Sequence, residues 1–158
     1  MGTEDEVRAK FGKIWPVHVG SLTQFLIECR RHFDGDLDMM LVLAVIGDRT
    51  FSQRRADPTL DFETFQSSPA QTPAEDINLR SIADFSGIPR ETVRRKVGQL
   101  ADKGWIERKG DGFIVATMKA KQDLEPLTLT SIKYVARMMS LMEDVDAPQS
   151  QGRHQHFP

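Results

Sequence analysis

Between Asn78 and Thr117 the apolar residues change period twice, from helix to helix to strand, and glycine marks each change. Leu79, Ile82, Ala83 and Phe85 fit a short helix that closes at Gly87. Val93, Val97 and Leu100 then recur at i, i+4 and i+7 on a second helix that Gly104 ends. Two short helices joined by a Ser-Gly-Ile turn predict a helix-turn-helix. Trp105 and Ile106 lead into the charged tight turn Glu107-Arg108-Lys109-Gly110-Asp111-Gly112, and Phe113 to Val115 return as a β-rich run, which predicts a hairpin. The expected fold is mainly α with a small β-hairpin wing: a winged helix-turn-helix with additional N- and C-terminal helices.

The second helix, read as Pro89 to Lys103, is charged where it is not core. With Val93, Val97 and Leu100 inward, Arg90, Glu91, Thr92, Arg94, Arg95 and Lys96 are expected outward near its N-terminal half. That end of a recognition helix meets base edges in a major groove. Arginine matches guanine bidentately through O6 and N7, and glutamate accepts from the cytosine amino group. These side chains are suited to reading a G·C pair from both sides.

The run Ile88-Pro89-Arg90-Glu91-Thr92-Val93-Arg94-Arg95 resembles the recognition helix of the cyclic-AMP receptor/FNR family of bacterial regulators. In that family the Arg-Glu pair and the arginine four residues after the glutamate contact bases, which by position implies Arg90, Glu91 and Arg95 here. The unit as a whole is similar to the winged helices of many prokaryotic repressors, including the MarR-like regulators. The resemblance covers about 40 of the 158 residues. Pro89 stands where a capping serine is usual, a substitution that the first helical turn tolerates. No glycine-rich cyclic-nucleotide barrel precedes the motif, so the resemblance implies no such ligand.

A net charge of −2 is distributed unevenly: residues 78–121 hold ten Lys/Arg against five Asp/Glu, and the rest hold eleven against eighteen. The local field that a nucleic acid meets is therefore positive. Cys29 is the only cysteine, which excludes an internal disulfide and fits a reducing compartment. No apolar run reaches the roughly 18 residues of a membrane span, and the acidic start Met1-Gly2-Thr3-Glu4-Asp5-Glu6 lacks the basic region of a signal peptide. A cytoplasmic location and no membrane partner are expected.

Along the chain, residues 1–18 read as a flexible arm containing Trp15-Pro16, and residues 19–55 as two helices for dimerisation and for the centre of the fold. Leu22, Phe25, Leu26, Cys29 and Phe33 form one apolar face from about Gly20 to Phe33, and Leu37 to Phe51 is a helix apolar all round at its centre. Residues 56–76, with Pro58, Pro69 and Pro73, read as a loop or disordered insertion in which Phe62 and Phe65 pin a helical turn. The winged unit follows at 77–120, then a C-terminal dimerisation helix at 121–146 with a broad stripe from Leu129 to Met142, then a disordered tail at 147–158. The apolar stripes at the two ends exceed what a winged helix of about 40 residues covers. Pairing across a two-fold axis would bury them, as in the MarR-like proteins that the arrangement resembles.

Other chemistry is weakly represented. Asp34, Asp36 and Asp38 alternate as in a calcium loop, but the glycine is at Gly35 and position 12 would be Val45, so helix capping is the better reading. His18, His32, His154 and His156 form no metal set, and Cys29 lies on an apolar face as a structural thiol. No catalytic set, phosphate loop, dinucleotide fingerprint or cofactor site stands out, and an enzyme is not expected. The expectation is a homodimeric, sequence-specific regulator of transcription on double-stranded DNA, with the recognition helix 89–103 in the major groove and the wing 105–116 on the backbone or minor groove. Arg90, Glu91 and Arg95 are expected to read bases, and Thr92, Arg94, Lys96, Arg108 and Lys109 to hold phosphates or make wing contacts. A small-molecule effector is left open. The alternatives are a winged-helix protein-interaction module and a DNA-binding replication or partition protein.

Overall fold

The computed structural model describes residues 3–51, 59–68, 77–110 and 112–143. The expected tail 147–158 and much of the expected insertion 56–76 lie outside them. Among the described residues the protein is mainly helical, with one two-stranded antiparallel sheet.

Helix α1 spans Thr3–Ala9 and α2 spans Phe11–His32. This corrects the expectation of a flexible arm over 1–18. Glu4, Asp5 and Glu6 complement the positive end of α1, and Arg8 pairs with Glu4 one turn back at 2.7 Å. Pro16 lies inside α2, where its ring removes one i→i−4 hydrogen bond. Phe11 and Trp15, one turn apart, stack across the same stretch with centroids at 4.9 Å.

The turn after α2 bends through two residues in the left-handed region, Asp34 and Gly35, at φ 54° and 82°. Aspartate and glycine are the residues that tolerate that region best. Asp36 then accepts the Met39 backbone N–H at 2.9 Å and so caps α3, Leu37–Phe51. The capping reading of this acidic stretch holds. Met39, Val42, Leu43, Val45 and Ile46 of α3 are buried, whereas Leu37, Leu41 and Ala44 are exposed, so the helix buries a wide face rather than its whole circumference.

Within residues 56–76, Phe62–Ser67 forms α4, capped by Asp61, which accepts from the Thr64 N–H at 2.7 Å. Helix α5, Leu79–Ser86, has a reciprocal capping box: the Asn78 side chain accepts from the N–H groups of Arg80 and Ser81, and the Ser81 hydroxyl accepts from the Asn78 N–H. It ends at Gly87 with φ 74°. Helix α6 runs Arg90–Asp102 and ends at Gly104, φ 73°, where an added Cβ would also press on the Lys119 side chain at 3.2 Å. Strands β1, Ile106–Arg108, and β2, Ile114–Ala116, pair antiparallel with Ile106 opposite Ala116. The Ile114 N–H also donates to the Ile77 carbonyl at 3.0 Å, tying the hairpin to the residues entering α5.

The C-terminal region is two helices where one was expected, because α7, Met118–Asp123, stops at Leu124 and α8, Glu125–Glu143, starts again with Pro126 in its first turn. The Lys121 ammonium donates to the Phe65 and Ser68 carbonyls, each at 2.9 Å, fastening α4 to α7.

The chain forms two compact units, Ile27–Thr128 and the described parts of Met1–Leu26 with Leu129–Pro158. In the first, α3 packs on α5, α6 and β2 around a core that includes Phe33, Ile46, Ile82, Val93, Val97, Leu100, Trp105 and Ile114. In the second, a 2.6 Å hydrogen bond joins His18 Nδ1 and the Tyr134 hydroxyl, beside the stacked Phe11 and Trp15.

Candidate nucleic-acid interface

Helix α6 is placed by three aliphatic side chains. Val93, Val97 and Leu100 have no exposed surface at all, so this side of the helix faces the core. Arg90, Glu91, Arg94 and Arg95 are all exposed, Glu91 and Arg95 on the side away from the core and Arg90 at the first turn in line with Val97, with Thr92 half-buried at the margin. Neither Arg90 nor Arg95 makes an ion pair among the described residues.

The other charged positions behave differently. Arg94 donates to both Glu91 carboxylate oxygens, its closest nitrogen at 2.6 Å. That hydrogen bond holds the Glu91 carboxyl below its ordinary range and raises the Arg94 guanidinium above its own. Lys96 is the correction of most consequence. Placed outward by the sequence reading, it is 8% exposed, and its ammonium donates to the second oxygen of Asp36. Its ammonium is thereby enclosed and engaged by a carboxylate instead of facing outward for a phosphate. The signal was available: Lys96 stands three residues after Val93 and four before Leu100, inside the apolar stripe.

Asp36 was missed as more than a cap. Burial disfavours its charge, yet the hydrogen bonds from Lys96 and the Met39 N–H outweigh that and hold its carboxyl below the usual carboxylate range. Two turns further along α6, Lys103 donates to Asp34 at 2.9 Å and lies over the Trp105 ring at 5.1 Å. Trp105 donates its indole N–H to Asp123 at 2.7 Å, and Lys119 binds the same carboxylate.

On the hairpin, Arg108 ends β1 and Lys109 follows it, both exposed, with the Lys109 ammonium 3.5 Å from Glu107. The Lys109 N–H donates to the Phe113 carbonyl and the Gly112 N–H to the Lys109 carbonyl, which closes the turn. Phe85, counted in the apolar pattern of α5, is 58% exposed and lies under the Arg49 guanidinium, 5.0 Å from the ring centroid. Ile82 alone of α5 is buried. Cys29 is buried, and that burial pushes its thiol up.

Among the described residues no cluster of His, Cys, Asp and Glu is suited to hold a metal ion, and no helix is long and apolar enough to cross a membrane. No protein-family model matches the chain, and no curated protein or solved structure matches it.

Proposed function

We propose that this chain is a homodimeric winged helix-turn-helix protein that binds double-stranded DNA in a sequence-specific way and regulates transcription. The observation that carries the reading is the sidedness of α6. Its aliphatic side is wholly buried, while Arg95 projects on the other side and Arg90 is exposed at the first turn, with Arg108 and Lys109 on the hairpin that follows. Arg90 and Arg95 are the base readers. Glu91 reads cytosine only by releasing Arg94, and a solvent-exposed pair one turn apart is weak, so the release is cheap. Arg94, Arg108 and Lys109 hold phosphates. With Lys96 withdrawn, a dimer neutralises about six phosphates and log K falls against log salt with a slope near about −5.

The dimer is supported by the composition of the terminal unit. Trp15, Val19, Leu22 and Leu26 on α2 are spaced four, three and four apart, and Ile132, Val135, Met139 and Met142 on α8 three, four and three apart, the alternation of a helix–helix seam. Trp15, Val19, Leu26, Ile132, Val135 and Met139 are exposed in the single chain.

The test selects duplexes from a random pool with the purified protein, then titrates the selected duplex and a scrambled one by fluorescence anisotropy at about 50 and 200 mM salt. Discrimination of at least about a thousandfold is expected. Binding blind to both sequence and salt would remove the reading in favour of the protein-interaction module. Bound genomic fragments clustered at promoters support regulation; clustering at replication or partition loci supports that alternative.

A further inference from the structure

We infer that Asp36 is a positioning residue for base reading: through its part-buried pair with Lys96 it sets the rotation of α6 and hence the direction of Arg95. The inference rests on the DNA-reading role proposed above. Lys96 is the sole buried charged residue among those described, and both oxygens of Asp36 are occupied, one by the Met39 N–H at the start of α3 and one by Lys96. One carboxylate thus ties the first turn of α3 to the middle of α6.

A pair in such a place contributes little net stability, because desolvating two charges offsets their attraction. Direction is what it adds. Contacts among Val93, Val97 and Leu100 are non-directional and tolerate small rotations of the helix, whereas a charge-assisted hydrogen bond fixes angle and distance. Successive helical residues are about 100° apart around the axis, so an anchored Lys96 fixes the neighbouring Arg95. Lys103, bonded to Asp34 of the same turn, adds a second tie about 10 Å further along the helix.

The test is the double variant Asp36→Asn/Lys96→Met. Asparagine caps a helix as well as aspartate does, and methionine keeps the aliphatic stem of lysine, so core and cap survive while the pair is lost. Wild type and variant are titrated against a duplex selected by the wild-type protein and against its scrambled counterpart, at two salt concentrations. The ratio of affinities is expected to fall by about tenfold in the variant, while affinity for the scrambled duplex stays within about twofold and the salt slope is unchanged. An unchanged ratio overturns the inference. So does an equal loss on both duplexes with a slope reduced by about 1 per protomer, which would make Lys96 a phosphate contact. A wild-type protein that does not discriminate removes the DNA-reading role itself, a result visible before any variant is made. Should the double variant lose its helical circular dichroism, Asp36→Glu replaces it: the charge is kept, the tie is one methylene longer, the same narrowing is expected, and an unchanged ratio again overturns the inference.

Discussion

The two units of this protein bury apolar surface to very different extents. Among the described residues, Ile27–Thr128 holds a continuous core in which eight large side chains, Phe33 and Leu100 among them, are almost wholly enclosed. In the terminal unit Ile14 is the one buried hydrophobic residue among those described, while Phe11, Trp15, Val135 and Met139 are each about half exposed. Apolar surface removed from water contributes about 25 cal/mol for each Å², so among the described residues the first unit gains far more from its interior than the second. One unit encloses an interior of its own, and in the proposed dimer the other is completed by association. The candidate interface sits wholly in the first unit, and in the proposed dimer the terminal unit sets how many copies of it act together.

The contrast is broken most severely in the core. Leu100→Ala should cost about 2–5 kcal/mol, with a urea midpoint that does not depend on protein concentration. A loss below about 1 kcal/mol would show that the core relaxes around the cavity.

In the terminal unit, Val135→Asp should act on association instead. Light scattering should give twice 17.9 kDa for the wild type and 17.9 kDa for the variant, with the urea transition of the core unit retained. A wild-type protein of monomeric mass would remove the dimer.

A third variant probes the pair between α3 and α6. Asp36→Asn keeps the cap and should cost about 1–3 kcal/mol at neutral pH by leaving Lys96 without its charged partner. Folding holds the Asp36 carboxyl below its unfolded value. Its contribution is therefore complete above the unfolded value near about 3.9 and is lost as pH falls through the lower folded value. Wild type and variant should converge in stability across that acidic window and differ by a constant amount above it. A gap that persists at the lowest pH where both fold would assign the cost to packing.

Effects on DNA alone come next. Arg95→Ala should leave stability within about 0.5 kcal/mol and cost about 1–3 kcal/mol on the selected duplex only. An equal loss on a scrambled duplex would make Arg95 a phosphate contact. Smallest is Lys109→Ala, which should weaken all duplexes alike and lower the salt slope by about 1 per protomer; an unchanged slope would detach the hairpin from the backbone.

Much of the architecture was legible because its causes are local. Glycines at positions 87 and 104 stop α5 and α6, Asp36 starts α3, and the turn after Arg108 closes the hairpin, each through bonds among residues a few positions apart. Even the turn pinned by Phe62 and Phe65 inside a proline-rich stretch is found as α4. The start of the chain was misread for a reason that is also local: Trp15-Pro16 suggests a break, but a proline costs a helix only the bonds next to it, and the surrounding helix continues.

By itself, then, the sequence determined the order and type of the central elements and the cationic character of α6, since periodicity, caps and charge need no distant partner. Tertiary structure alone decided what each charge does. Lys96 and Arg95 are neighbours of the same sign, and although helical spacing puts Lys96 in the apolar stripe, nothing local supplies the carboxylate that lets a charge be buried there. One is buried because Asp36, sixty residues earlier, offers it a carboxylate, and the other stays in solvent because the helix turns by about 100° between them. Phe85 was likewise decided by packing: it fits the apolar count of α5, but only Ile82 points squarely into the core, and an eight-residue helix has room on its inner face for few others.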